Sequence, residues 1–249
     1  VKYIKPSAIA LVLGLALWFL SFSLASRLPV PAAFSEIHNE PAQTATQAQP
    51  FDINLKGHTY SLKPRFDYRL RGRVVAMSDA MGWTDISHRS WGDYLNTHDL
   101  CVVWGEDAEV VNLREFSITH GDWTCYFYTR SNEEYAKFRP DQLSNNHILP
   151  ATPEIAALVR DVRIGDVIDV EGQLVDYSID GRGSRNTSTV RTDTGNGACE
   201  IIYVTGFHFL QRHNELLYRL ASLGKWLSAA GAVALLVSFF VLPFVLRES

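Results

Sequence analysis

Apolar residues are unevenly spread along this 249-residue chain. Two uncharged blocks stand near its ends, and the stretch between them alternates apolar and polar positions. The first block, SAIALVLGLALWFLSFSLAS, runs from Ser7 to Ser26. The second, WLSAAGAVALLVSFFVLPFVL, runs from Trp226 to Leu246. Each is about 20 residues long, enough to cross the hydrocarbon core as a helix. A single segment can satisfy its backbone in lipid only as a helix. Ser23-Leu24-Ala25 would pass as a signal-peptide cleavage site, but the apolar run is longer than a signal-peptide core, which favours an uncleaved anchor.

Between the blocks the period changes. PVPAAFSEIHNEPAQTATQAQP, residues 29–50, has no periodicity and reads as a linker. From Phe51 the pattern is that of short strands. FDINLKGHTYSL holds a turn at Lys56-Gly57 between two alternating runs. In DYRLRGRVVAMSD the positions Tyr68, Leu70, Gly72 and Val74 alternate with charge, as a half-buried strand requires. EFSITHGDWTCYFYTR reads as a second hairpin, with Trp123, Cys125 and Phe127 on one face and Thr124, Tyr126 and Tyr128 on the other. Thr152-Pro153-Glu154 opens a short helix with an N-cap, a first-turn proline and a first-turn acid. VIDVEGQLVDYSID follows as a strand whose Gly172 marks a bulge or a sharp bend. ACEIIYVTGF, residues 198–207, is the last strand. HFLQRHNELLYRLASLGKWL then carries leucines on one helical face and predicts a stiff helix leading into the second apolar block.

The resulting expectation is a mainly β fold: a small OB-like β-barrel with one short helix, flanked by two transmembrane helices, with a β-sandwich as the alternative. Its parts are an N-terminal anchor at 1–27, a linker at 28–50, a barrel-like domain at 51–207, a membrane-proximal helix at 208–224 and a second transmembrane helix at 225–249. The order of helix, Gly165-Asp166 and then Val-x-Val-x-Gly-x-Leu-Val resembles the way OB folds join their helix to the next strand. DLCVVWG and RTDTGNGACEIIYV resemble segments of an uncharacterised family of bacterial two-span inner-membrane proteins. That resemblance implies a placement and no activity.

Charge sharpens the placement. Lys2 and Lys5 precede the first block, so its near end is expected in the cytoplasm. With two spans both termini are cytoplasmic and the central domain is periplasmic, in the inner membrane of a bacterium. The formal net charge of -4 argues against nucleic acid as a partner. The small residues Ala10 and Gly14, and Gly224, Ser228 and Ala232, repeat at four-residue spacing. Such stripes let helices approach closely in lipid, within the chain or against another membrane protein.

Candidate chemistry is sparse. Asp193-Thr194-Gly195 has the form of an aspartic-protease motif, but that chemistry needs two carboxylates sharing a proton, hence two copies of the chain. Its approach, Thr189-Val190-Arg191-Thr192, is polar, and Asn196-Gly197 beyond it is a strong hairpin signal. Turn residues at Asp193, Asn196 and Glu200 do not match a calcium loop. Of the three cysteines, Cys101 and Cys125 are the expected disulfide, since neighbouring strands are often adjacent. Pairing His98 and His120 with those two cysteines would give a zinc set, though without a familiar spacing. The oddest stretch is GWTDISHRSWGDYLNTHDLCVVW. Its Trp83, His88, Arg89, Trp91 and Tyr94 form the expected partner-binding surface, because Trp, Tyr and Arg concentrate interface energy. No metal and no cofactor is expected. The reading is a membrane-anchored binding or accessory protein, a small subunit or assembly factor of an envelope complex, held in the bilayer and partnered by another membrane protein or by copies of itself. A hydrolase at Asp193 or at a Cys–His pair, and a glycan- or lipid-head-group-binding OB-like domain, are the alternatives.

Overall fold

The computed structural model describes residues 4–82, 87–121, 124–195 and 198–240. In chain order its elements are helix α1 (Ile4–Ala25), strands β1 (Ala42–Ala45), β2 (Phe51–Leu55) and β3 (His58–Asp79), helix α2 (Ser87–Trp91) and strand β4 (His98–Val103). There follow α3 (Gly105–Glu109), β5 (Phe116–His120), β6 (Cys125–Thr129), α4 (Asn132–Lys137), β7 (Leu143–Pro150) and α5 (Pro153–Arg160). The chain continues through β8 (Val167–Ile179), β9 (Arg182–Arg185), β10 (Cys199–Gln211) and α6 (Glu215–Phe240). They divide into two compact units: Val1–Arg27 with Asn214–Ser249, and Leu28–His213.

The first unit pairs α1 with α6. Both helices are long and apolar enough to span a bilayer. They pack through small residues, burying Gly14, Ser21 and Ala25 of α1 against Ala221, Gly224, Ser228 and Gly231 of α6. A Cβ on Gly14 would stand 2.4 Å from the Ser228 backbone nitrogen, and one on Gly224 would stand 2.5 Å from that of Trp18. The backbones therefore touch only because side chains are missing there. The expected stripes thus meet at Gly14, Gly224 and Ser228, whereas Ala10 and Ala232 lie half-buried. Ser21, Ala25, Ala221 and Gly231 complete the seam. Asn214 closes one end by donating to the Ala25 carbonyl at 3.1 Å.

The second unit is built on a large sheet. Among the described residues the pairing order is β1-β3-β4-β7-β10-β8-β9, with β2 on β3, and β3 also pairs β8. The β7–β10 pair is parallel; the other pairs are antiparallel. The predicted hairpin is present, with Lys56 and Gly57 both at positive φ between paired β2 and β3. Gly172 takes its place for the expected reason: a Cβ there would meet the Tyr203 carbonyl oxygen at 2.1 Å, beside a register slip between Val204 and Gly206. The helix α5 is capped as predicted, with Thr152 Oγ1 accepting from the Ile155 N–H.

Alternation along the strands sorts the core. Tyr68, Leu70, Val74, Leu100, Val102, Ile202 and Val204 fill one cluster with α5. An extra residue at Val75 shifts the β3–β4 register, and Val75 and Ala76 turn to a second cluster around Cys101 and Val103. The hairpin β5–β6 packs Cys125 and Phe127 on that cluster and leaves Tyr126 and Tyr128 exposed, as the period predicts. Cys101 and Cys125 form a disulfide.

Three expectations need correction. Helix and strand occupy similar shares of the chain, so it is mixed α/β rather than mainly β; the two apolar helices and four short ones account for the difference. Residues 28–50 are not a free linker, because Ile37 is fully buried and β1 pairs with β3. An edge strand held by backbone bonds needs no apolar alternation, so its sequence looks like a linker. The helix does not begin at 208: His208–Gln211 extend β10 against Val167–Asp169, and α6 starts at Glu215.

Candidate binding cleft

The segment after α2 turns back sharply at Gly92, whose φ is +70°. Tyr60 of β3 pins it from below. The Tyr60 hydroxyl donates to the Gly92 carbonyl at 2.5 Å and accepts from the Tyr94 N–H at 3.0 Å. Facing it is the β8–β9 hairpin, which turns through Asp180 and Gly181, both at positive φ. Between the two lies a cleft of about 610 Å³, within the range of small-molecule sites. Arg89, Trp91, Tyr94 and His58 line one side; Tyr177, Asp180, Arg182 and Arg185 line the other. Trp91 is 57% exposed. His58 Nδ1 lies 2.7 Å from Asp180 Oδ2, which ties the two walls together.

The floor is polar and fully committed. The buried Tyr177 hydroxyl donates to Asp93 Oδ2 at 2.5 Å and accepts from Arg185 Nη1 at 2.9 Å. Arg185 Nη1 also reaches Asp93 Oδ2 at 2.9 Å. Burial, reinforced by Asp93, raises the Tyr177 hydroxyl well above the usual tyrosine range, so it stays a donor.

Behind the floor a buried network continues. Arg185 Nη2 lies 3.4 Å from His147 Nε2, and His147 Nδ1 lies 2.5 Å from Asp99 Oδ1. Asn96 donates to the same Asp99 oxygen at 2.9 Å and sits 3.1 Å from His88 Nε2. Burial alone would push the Asp99 carboxyl up, but His147, Asn96 and His120 outweigh it and hold the group at about 2. His120 Nε2 contacts Asn145 Oδ1 at 2.8 Å, and Asn145 donates to Cys199 Sγ at 3.4 Å. The Asp99–His147 pair has the look of a catalytic base, yet its outer nitrogen faces a guanidinium rather than a hydroxyl or thiol. That is a scaffold arrangement.

No family model matches the chain, and neither the curated proteins nor the solved structures give a match.

Of the expected partner-binding residues, the fold brings Arg89, Trp91 and Tyr94 to the cleft. His88 is buried beneath it, so it positions the segment instead of facing a partner. Trp83 lies outside the described residues, as do Trp123, Asn196 and Gly197. Trp104 is a core residue. His58, Tyr177, Arg182 and Arg185 were not singled out by the sequence, because β3 and the β8–β9 hairpin are remote from residues 87–94 along the chain. The Cys101–Cys125 disulfide removes both thiolates from the zinc reading, and no group of three or more His, Cys, Asp or Glu poised for a metal occurs among the described residues. Burial raises the remaining thiol, Cys199, which leaves it less nucleophilic.

Asp193 sits elsewhere, accepting from the Ser188 hydroxyl. Its neighbour Arg191 turns inward, donating to Glu200 Oε1 at 2.9 Å and lying over the Tyr68 and Trp104 rings. The polar approach that weakened the protease reading is thus an arginine closing one end of the core. Tyr68 Oη, Arg191 Nε and Nη2, Glu200 Oε2 and Asn146 Oδ1 are buried there without hydrogen-bond partners.

Proposed function

We propose that this chain is a membrane-anchored periplasmic binding module, serving as a small subunit or assembly factor of a bacterial envelope complex, with the cleft as its contact surface. The observation that carries this reading is the exposed Trp91 held with Arg89 and Tyr94 on a fully bonded floor. An aromatic and arginine surface fixed on a rigid scaffold is what interface energetics favour. Two apolar helices support the membrane placement. The disulfide supports an oxidising compartment, and Lys2 and Lys5 ahead of the apolar block that starts at Ser7 support cytoplasmic termini.

The domain is read as OB-like. Pairings lead from β3 through β4, β7, β10 and β8 back to β3, β7 and β10 are parallel, and α5 lies between β7 and β8. These features support the reading, as does the resemblance at Gly165-Asp166.

The test is a pull-down of the tagged full chain from native membranes in gentle detergent, followed by mass spectrometry. A stoichiometric membrane partner is expected with the native chain and with Asp193→Asn, and a depleted one with Trp91→Ala. Recovery of the chain alone would overturn the accessory role, and loss of the partner with Asp193→Asn alone would move the function to that loop.

A further inference from the structure

The cleft carries a charge and a geometry that define its ligand more narrowly. Its lining includes three arginines, Arg89, Arg182 and Arg185, against one acid, Asp180. Asp93 beneath the floor neutralises Arg185, so one cation remains in excess. Lys56, 4.5 Å above the Tyr94 ring, adds another at the rim. This local excess stands on a chain whose formal net charge is -4. It is therefore a feature of the cleft and not of the composition.

The donors are not equally available. Arg185 spends Nη1 on Asp93 and Tyr177. Arg89 donates Nη2 to the Gly82 carbonyl at 2.5 Å. Arg182 is exposed, and among the described residues its guanidinium makes no side-chain hydrogen bond or close ion pair, acting on Asp180 only through longer-range attraction. One uncommitted guanidinium fork matches the two coplanar oxygens of a carboxylate. Beside the fork stand the Trp91 and Tyr94 rings and Ile179, which favour a flat apolar group. The volume of about 610 Å³ accommodates both parts at once.

We propose that the cleft between residues 89–94 and the β8–β9 hairpin binds a carboxylate attached to a ring or other flat apolar group, with Arg182 pairing the carboxylate and Trp91 and Tyr94 flanking the apolar part. The proposal rests on the reading of this cleft as the contact surface. The same chemistry is offered by a small-molecule carboxylate and by the C-terminal residue of a polypeptide.

The experiment uses the purified full chain in detergent. N-acetyl-tyrosine and N-acetyl-tyrosinamide are titrated by calorimetry and by cleft-resonance shifts in NMR. The acid is expected to bind at millimolar concentration or better, and the amide about tenfold more weakly, the loss typical of a charge-assisted pair. Arg182→Gln should reduce binding of the acid about tenfold and leave the amide unchanged. Trp91→Ala should weaken both. Arg182 and Trp91 are exposed, so neither change threatens the fold. Equal binding of acid and amide, or no binding of the acid, overturns the proposal, as does retention of the acid's affinity in Arg182→Gln. A pentapeptide ending in tyrosine separates the sources: at least tenfold tighter binding than the single residue points to a chain terminus, and equal binding to a small molecule. The pull-down keeps the two readings apart. A partner lost with Trp91→Ala but no carboxylate binding leaves the contact surface standing without this ligand. Carboxylate binding with the partner retained leaves the ligand standing without that partner.

Discussion

Glu200 sits in an environment that its sequence neighbours do not suggest. It lies in an apolar strand, pairs in register with Asn146, and among the described residues meets one cation, Arg191. Burial pushes its carboxyl up to about 7, with Arg191 opposing. A carboxyl raised on folding binds its proton more tightly in the folded chain than in the unfolded one. The associated stability is complete below the unfolded value near 4.5 and is lost as pH rises to about 7. Stability should therefore fall across that window by up to about 3 kcal/mol. Asp107, which burial also raises to about 7, adds to the same fall. Glu200→Gln should flatten the profile and leave the share due to Asp107, although it lowers stability overall because Arg191 loses its partner. Urea unfolding at several pH values measures the slope, and an unchanged slope in Glu200→Gln would sink this account.

At the scale of elements, the β5–β6 hairpin is held to β4 by a covalent link. Cys101 and Cys125 are 24 residues apart, a loop whose closure is worth about 3 kcal/mol in the chain-entropy account. Reduction should lower unfolding stability by about that amount, with hydrogen exchange rising first at Phe116–Thr129. Equal protection with and without reductant would show that the packing of Phe116, Phe127 and Phe138 suffices alone. The helix pair depends on missing side chains instead. Gly14→Leu should destabilise α1 against α6 by about 2 kcal/mol through overpacking, whereas Ala10→Leu, at the half-buried flank, should cost less. Thermal melting of the full chain in detergent, followed by helical circular dichroism, compares the two. The stripe at 224, 228 and 232 was legible as spacing, and its first two positions form the seam while Ala232 lies half-buried beside it. That it serves its own chain's other helix could not be read from spacing, since any close helix would satisfy the same pattern.

For the whole molecule, the prediction is topological. A fluorescent reporter that matures only in the cytoplasm should glow when fused after Ser249, and alkaline phosphatase inserted at the β8–β9 turn should be active. The opposite pair of results would reverse the orientation and remove the oxidising compartment from the argument. The disulfide would then need another explanation.

What the sequence determined by itself is whatever is local or periodic. The two long apolar helices follow from uninterrupted apolar length. The turn at Lys56-Gly57, the cap at Thr152 and the faces of β6 follow from the backbone preferences of a few adjacent residues. The cysteine pair was expected from neighbouring strands, but β4 and β6 are not paired: the separate β5–β6 hairpin packs against β4 and brings Cys125 to Cys101. Tertiary structure decided everything that depends on partners far apart in the chain. It paired polar Ala42–Ala45 with β3, carried β10 on to Gln211, and buried Arg191 against Glu200. It also set Arg89, Trp91 and Tyr94 across from Arg182 and Arg185, about 90 residues away. Periodicity reports which face of an element is apolar. It carries no information about which other element that face, or the cleft beside it, will meet.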